Sequence, residues 1–313
     1  MLSRVAASFY WVCRYIERAE NYARFIEVNL NMAPDLPPGI PEQWEPLVLT
    51  TGDQDLFKER YGEATRENVI RFLTFDLENP NSIFACLSRA RENARTIREL
   101  ISSEMWQQIN AMYLELESAS PGRSQEALAD FYRSVRTGSH LFIGIMDATF
   151  AHGEAFHFGV LGRGLERADK TGRIVDMKYF YLLPTPGHVG TPLDLLQWSS
   201  LLKSASAYEM YRKVHGKLEV RPMVSFLLLN RLFPRSVFRS LQIARGAVRA
   251  INQREAAPGE RELGRLCAEL EYADVAEIFE MGLHEYADSL QTRINKVGDE
   301  IYSTYFALKD APA

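Results

Sequence analysis

Two stretches of this chain set arginine and glutamate at the three- and four-residue spacings that share one helix face. The first runs Arg14, Glu17, Arg18, Asn21 and Arg24, and the second Arg163, Glu166, Arg167, Lys170 and Arg173. At about 100° per residue each set falls within about 120°, with Tyr15, Ile16, Ala19, Ala23 and Ile26 opposite the first and Leu165, Ala168, Gly172 and Val175 opposite the second. The guanidinium is a planar fork of donors that matches carboxylates and phosphates, and the intervening glutamates can orient it or receive an amine. A third basic row, Arg89, Arg91, Arg95 and Arg98 with Glu92 and Asn93, has a thinner counterpart in Arg245 and Arg249. A cleft lined this way suits a peptide terminus, an amino acid or a nucleotide phosphate. The candidate residues are Arg14, Glu17, Arg18, Asn21, Arg24, Arg91, Arg95, Arg163, Glu166, Arg167, Asp169 and Arg173.

Three roles fit such stripes. They can be solvated faces whose Arg and Glu pairs contribute a few tenths of a kcal/mol each. They can form a buried network that fixes the packing of two parts of the chain, retained because stranding one charge costs about 3–5 kcal/mol. Or they can line a ligand-binding or catalytic cleft.

The stripes are themselves a repeat. Residues 14–24 recur at 163–173, a displacement of 163 − 14 = 149, with five of eleven positions identical and Ile16/Leu165, Glu20/Asp169 and Ala23/Gly172 conservative. Ser82-Ile-Phe84 and Leu87 with Ala90-Arg91, Arg95 and Ile97 match Ser236-Val-Phe238 and Leu241 with Ala244-Arg245, Arg249 and Ile251, displaced by 236 − 82 = 154. Trp44/Trp198, Gly62/Gly216 and Pro80/Pro234 keep that second displacement. The five-residue change lies between Arg173 and Trp198, in a Pro- and Gly-rich connector where insertions are tolerated. Between the two runs Arg, Glu, Arg and Arg persist while Tyr15 becomes Gly164 and Tyr22 becomes Thr171, which a solvated face does not explain. The expectation is an all-α protein of two homologous helical-bundle halves, residues 1–151 and 152–313. Born of an internal duplication, they pack as one unit around a pseudo-two-fold axis.

The elements that must carry these motifs are helices throughout, since no stretch alternates with period two between hairpin turns. The periodicity predicts helices over about 3–30, 42–50, 54–61, 65–76, 80–101, 103–118, 124–151 and 155–180. Those of the second half are about 192–214, 219–231, 234–254, 261–270 and 272–308. Asn79 reads as the cap of the 80–101 helix, with Pro80 in its first turn, and Thr191-Pro192-Leu193-Asp194 as a helix start.

Composition narrows the function. The net charge of −5 over 313 residues, without a basic stripe interleaved with aromatics, gives no reason to expect nucleic acid. No run approaches the ~18 apolar residues of a membrane span, and the apolar start lacks a cleavage site. Cys13, Cys86 and Cys267 lack C-x-x-C spacing and read as buried thiols of a reducing, cytoplasmic compartment. Glu154 and His157 form one E-x-x-H step near Asp147 and His152, but a di-metal bundle site needs a second such step and two more glutamates. No metal and no cofactor is therefore expected, and the lack of a phosphate-binding glycine loop leaves any ATP chemistry to a partner.

The chain resembles the bacterial alpha-E domain family, named for its Glu-Arg motif, over essentially its whole length. The carriers are Phe9-Tyr10-Trp11 with Arg14-Tyr15-Ile-Glu17-Arg18-Ala19-Glu20-Asn21 and Ala23-Arg24. To these are added Ala90-Arg91-Glu92-Asn93-Ala94-Arg95 with Trp106 and Asn110, and Leu161-Gly162-Arg163 with Leu165-Glu166-Arg167-Ala168-Asp169. The resemblance implies an association with circularly permuted ATP-grasp ligases and transglutaminase-like proteases. It thus implies a part in making or modifying peptide or amide bonds, through acyl or aminoacyl transfer if the chain is an enzyme. The alternative is a non-catalytic scaffold or partner subunit whose Arg–Glu motifs are a structural network.

Overall fold

The computed structural model describes residues 3–119, 124–181, 191–252 and 257–307, with backbone alone for 178–181. The connector 182–190, the helix end at 120–122 and the tail from 308 lie outside these. Among the described residues every regular element is helical. The first run comprises α1 (Ser3–Met32), α2 (Glu45–Leu49), α3 (Gln54–Tyr61), α4 (Arg66–Ile70), α5 (Ile83–Thr96), α6 (Ser103–Glu117) and α7 (Gln125–Thr149). The second comprises α8 (Glu154–Tyr181), α9 (Pro192–Ser204), α10 (Tyr208–His215), α11 (Val220–Leu229), α12 (Val237–Asn252), α13 (Pro258–Tyr272), α14 (Val275–Met281) and α15 (Leu283–Ile301). No described helix is long and apolar enough to cross a membrane.

α1 and α8 form the central pair. Tyr10 lies against Gly162, Glu17 binds Arg167, and Lys170 sits over the Tyr22 ring, so the two helices run in the same direction. α1 is flanked by α5 and α7, and α8 by α12 and α15. The seam begins with a close approach. A Cβ at Gly162 would stand 2.5 Å from the Tyr10 carbonyl oxygen, and one at Gly159 would stand 2.6 Å from the Phe9 ring. Ala19, Ala23 and Ala168 are fully buried further along the pair, whereas a Cβ at Gly172 would have only Gln291 Cγ near it, at 3.9 Å.

Several element bounds recur at one displacement. α3 and α10 are both eight residues long and begin 208 − 54 = 154 apart, each closed by a glycine at positive φ, Gly62 (+70°) and Gly216 (+71°). α5 and α12 begin at 83 and 237, and each follows a serine whose hydroxyl accepts an N–H three residues on, Ser82 from Ala85 and Ser236 from Arg239.

Several expected ends differ, α5 stopping at Thr96 and α4 passing after Ile70 into a π-helical turn, Arg71–Phe75. Ser82, not Asn79, caps α5, because the Asn79 amide donates to the Phe72 carbonyl and its oxygen accepts the Asn81 N–H. The helix expected over 192–214 breaks at Ser206, which holds φ +54°. Ser206 and Ala207 donate to the Lys203 and Leu202 carbonyls, a Schellman end built without the usual glycine. The last helix breaks at Gly282, φ +103°, and gives way after Ile301 to a π-helical turn, Tyr302–Phe306. Thr191 does cap α9, accepting the Asp194 N–H.

The Gly162 contact generates a prediction. Gly162→Ala forces backbone apart and should destabilise by about 1–3 kcal/mol. Gly246→Ala in α12, where a Cβ would meet nothing within 4 Å, should instead stabilise by up to about 1 kcal/mol. Urea midpoints of the two variants moving the same way would contradict this account of the seam.

Candidate functional site

The two stripes face each other across the α1–α8 seam and exchange partners. Glu166 accepts Arg18 Nε at 2.6 Å and Nη2 at 2.9 Å, and Arg14 Nε at 2.9 Å. Glu17 accepts Arg167 Nε at 2.7 Å and Nη2 at 2.8 Å. Each glutamate thus takes a two-point grip from an arginine on the other helix, the geometry that lysine cannot supply. The carboxylates are sealed, with Glu166 0% and Glu17 2% exposed, while Arg18 and Arg167 keep 13% each.

Further along the seam the network branches. Arg235, in the turn before α12, donates to Glu17 at 3.3 Å, to Glu20 at 2.7 Å and to the Asn21 side-chain oxygen at 3.2 Å. Glu20 also binds Arg24, and His140 of α7 approaches it at 3.5 Å. Asn21 donates to the Glu17 carbonyl at 2.7 Å. On α8, Asp169 takes Arg173 at 3.0 Å and Lys170 at 3.1 Å. Arg18 carries the chain outward to Asn81, whose amide donates to Asp53 at 2.6 Å.

The sequence candidates separate into three groups. Arg14, Glu17, Arg18, Asn21, Arg24, Glu166, Arg167, Asp169 and Arg173 all enter this network. Arg163 lines the same seam, yet no carboxylate of the described residues lies within ion-pair distance of it. Arg91 and Arg95 stand apart. Arg91 donates to Asn110 at 2.8 Å and stacks 4.6 Å from the Tyr113 ring, and Arg95 pairs with Glu92 at the surface. Sequence reasoning placed Lys170 on the second stripe without singling it out as a candidate, and it missed Glu20 and Arg235. Glu20 is the counterpart of the candidate Asp169, so the repeat carried a signal for it, whereas Arg235 stands at the 154 displacement from Asn81, a residue of another type in a turn.

The network is electropositive. Four carboxylates, Glu17, Glu20, Glu166 and Asp169, meet seven bonded cations, Arg14, Arg18, Arg24, Arg167, Lys170, Arg173 and Arg235. Burial works to raise the Glu166 carboxyl, but Arg18, Arg14 and Lys170 hold it well below the usual carboxylate range. Burial is likewise outweighed at Glu17 by Arg167 and Arg235, at Glu20 by Arg235 and Arg24, and at Asp169 by Lys170 and Arg173. Cys13 at the seam is pushed up to about 12 by burial, which removes it as a nucleophile at neutral pH.

Open space lies beside the network rather than in it. A cleft of about 220 Å³ is walled by Trp11, Arg14, Leu165, Asn295, Gly298 and Asp299. A far smaller one of about 10 Å³ is lined by Cys13, Glu17, Phe142, Met146 and Arg163. Toward the C-terminal ends of α1 and α8 an apolar cleft of about 40 Å³ is lined by Phe25, Val28, Leu47, Ile174, Met177 and Leu201, with Gln197 donating to Gln43 at 3.1 Å.

A family model described as a predicted alpha-helical domain with a conserved ER motif matches residues 1–306. The chain belongs to the Alpha-E family. No curated protein and no solved structure matches it. In this Alpha-E chain the Glu-Arg steps Glu17-Arg18 and Glu166-Arg167 are the reciprocal pair across the seam, each glutamate held by the other step's arginine.

Two outcomes follow for this Alpha-E chain. Glu17→Gln strands Arg167 and Arg235 in a sealed site and should cost about 3–5 kcal/mol in urea unfolding, whereas Glu92→Gln at the surface should cost under about 1 kcal/mol. A Glu17→Gln midpoint equal to wild type would contradict the buried network. The pH dependence has a definite sign. These folded carboxyls lie below their unfolded values of about 4, so their stabilisation is whole above that range and is lost as pH falls through it. The urea midpoint should therefore hold between about pH 7 and about pH 5 and fall steeply below about pH 4, with a shallower fall in Glu166→Gln.

Proposed function

We propose that this Alpha-E chain is a non-catalytic binding component of a peptide- or amide-bond-forming system, working beside a circularly permuted ATP-grasp ligase and a transglutaminase-like protease. Its Glu-Arg motifs act as a lock between two parts of the chain. The partner classes come from the family resemblance. The lock rests on one observation, the reciprocal Glu17–Arg167 and Glu166–Arg18 pairs with their carboxylates closed off from water. A carboxylate saturated by two arginines and held far below neutral pKa is a poor general base, and the Cys13 thiol is a poor nucleophile, so the network supports no acyl-transfer step of its own. The three free buried thiols agree with the cytoplasm as the working compartment.

We infer further that residues 1–151 and 152–313 are homologous halves from an internal duplication, arranged about a pseudo-two-fold axis. The shared 154 displacement of α3/α10 and α5/α12 supports this, as do the paired serine caps and the reciprocal exchange across the seam.

The test mixes the purified protein with an ATP-grasp ligase of this type, ATP and an amine acceptor. Alone it should hydrolyse no ATP, and with the ligase it should co-elute and raise or redirect amide product. Arg18→Lys and Arg167→Lys should lower the melting temperature yet leave product yield unchanged below it. Lost product at an unchanged melting temperature would put the motif in contact with substrate and overturn the lock, and ATP turnover by the chain alone would overturn the division of labour.

A further inference from the structure

The two clefts flanking the network differ in what fills them. Phe142, Ile143 and Met146 of α7 line one cleft, and Ile294, Asn295 and Gly298 of α15, at the same spacing, line the other. On the α7 side Phe142 and Met146 are 1% exposed, and the Met146 sulfur lies 3.8 Å from Cys13, so that cleft is plugged. On the α15 side a Cβ at Gly298 would meet nothing within 4 Å, and the space opens to about 220 Å³. The α7 side keeps only about 10 Å³, so room for a small molecule exists on the α15 side alone.

The open cleft carries charges of both signs on different walls. Arg14 is 17% exposed, bound to Glu166 and the Tyr10 hydroxyl, and its guanidinium lies 4.9 Å over the Trp11 ring. That stack and those bonds fix the guanidinium without using all of its five donors, and the surplus of cations behind it favours an anion there. On the facing helix Asp299 makes no ion pair among the described residues, and Asn295 stands one turn before it. Tyr302, at the start of the π-helical turn, adds an aromatic edge.

The geometry points to a site for a small zwitterion, a free α-amino acid or a dipeptide, with its carboxylate at Arg14, its ammonium at Asp299 and its side chain against Trp11 and Tyr302. As a substrate class this rests on the amide-bond reading, since such molecules are what an amide-forming ligase joins. The site itself is built from the cleft's own walls. Binding to the isolated chain therefore tests the site, and co-elution with the ligase tests the partnership.

Calorimetric titration and thermal melts of the full chain with L-phenylalanine and glycyl-L-phenylalanine, against N-acetyl-L-phenylalanine and L-phenylalaninamide, provide the measurement. The uncapped probes should bind at least about ten-fold tighter than either capped one, because each cap removes one of the two charges that the cleft walls pair. Gly298→Met, which places the α7-side plug in open space, should keep the melting temperature and remove binding. Asp299→Asn should erase the preference over the N-acetyl probe. Should Gly298→Met disturb the fold, Asn295→Ile copies the residue of the plugged cleft at a second position and should also weaken binding. Equal binding of capped and uncapped probes, undiminished binding to Gly298→Met, or no binding at millimolar concentration would overturn the site.

Discussion

A carboxylate can be taken out of water only where cations from its surroundings replace the solvent, and α1 and α8 are placed by that demand. Desolvation penalises each ion by several kcal/mol, and mutual attraction offsets this only with good geometry and satisfied hydrogen bonds. The Glu17 and Glu166 grips meet both conditions. They also fix register, since sliding one helix by a single residue turns its side chains by about 100° and takes both arginines off their targets. Apolar packing around the seam, from Ala19, Ala23 and Ala168 to Ile16 and Leu165, supplies adhesion that tolerates small shifts. The ion pairs supply the discrimination between registers. This division explains why lysine is admitted only at Lys170, where single contacts of 3.1 Å and 3.8 Å are enough.

The helical class and most element bounds were legible in the sequence because period, caps and prolines are local signals. α3 falls on 54–61 as expected, and Thr191 caps α9. Two breaks were not legible, for a physical reason. The α9–α10 break uses Ser206 in a left-handed conformation that ordinarily advertises itself as glycine, and the α14–α15 break falls in a stretch whose apolar period runs on through Gly282. The network's central members were readable from helical spacing plus the repeat. Its extensions were not, because Arg235 and Asn81 sit in turns, where no periodicity points a side chain inward. Arg91 and Arg95 show the converse, a run of arginines at helical spacing whose partners prove to be ordinary ones on α5 and α6.

Differences between the flanks of the seam carry more functional information than their similarity. Arg14 is anchored by Glu166 and Tyr10, whereas no described carboxylate lies within ion-pair distance of Arg163, and Arg235 holds Glu17 at 3.3 Å. Phe142 and Met146 fill one flank, and Gly298 leaves the other open. A lock alone would be served by two filled flanks. An open, charged and aromatic recess on one side only is a departure from what stability requires.

The same-direction pairing of α1 with α8 has a consequence for how the chain is made. Arg167 leaves the ribosome 150 residues after Glu17, a wait of roughly 8–30 s at about 5–20 residues per second. Throughout that interval the seam of α1 has no partner. An all-leucine seam would be a sticky surface for chaperones and neighbouring chains, whereas Arg14, Glu17, Arg18 and Glu20 keep it hydrated. Their charges act first as a solubilising coat on a nascent helix, and give up their water only when α8 arrives.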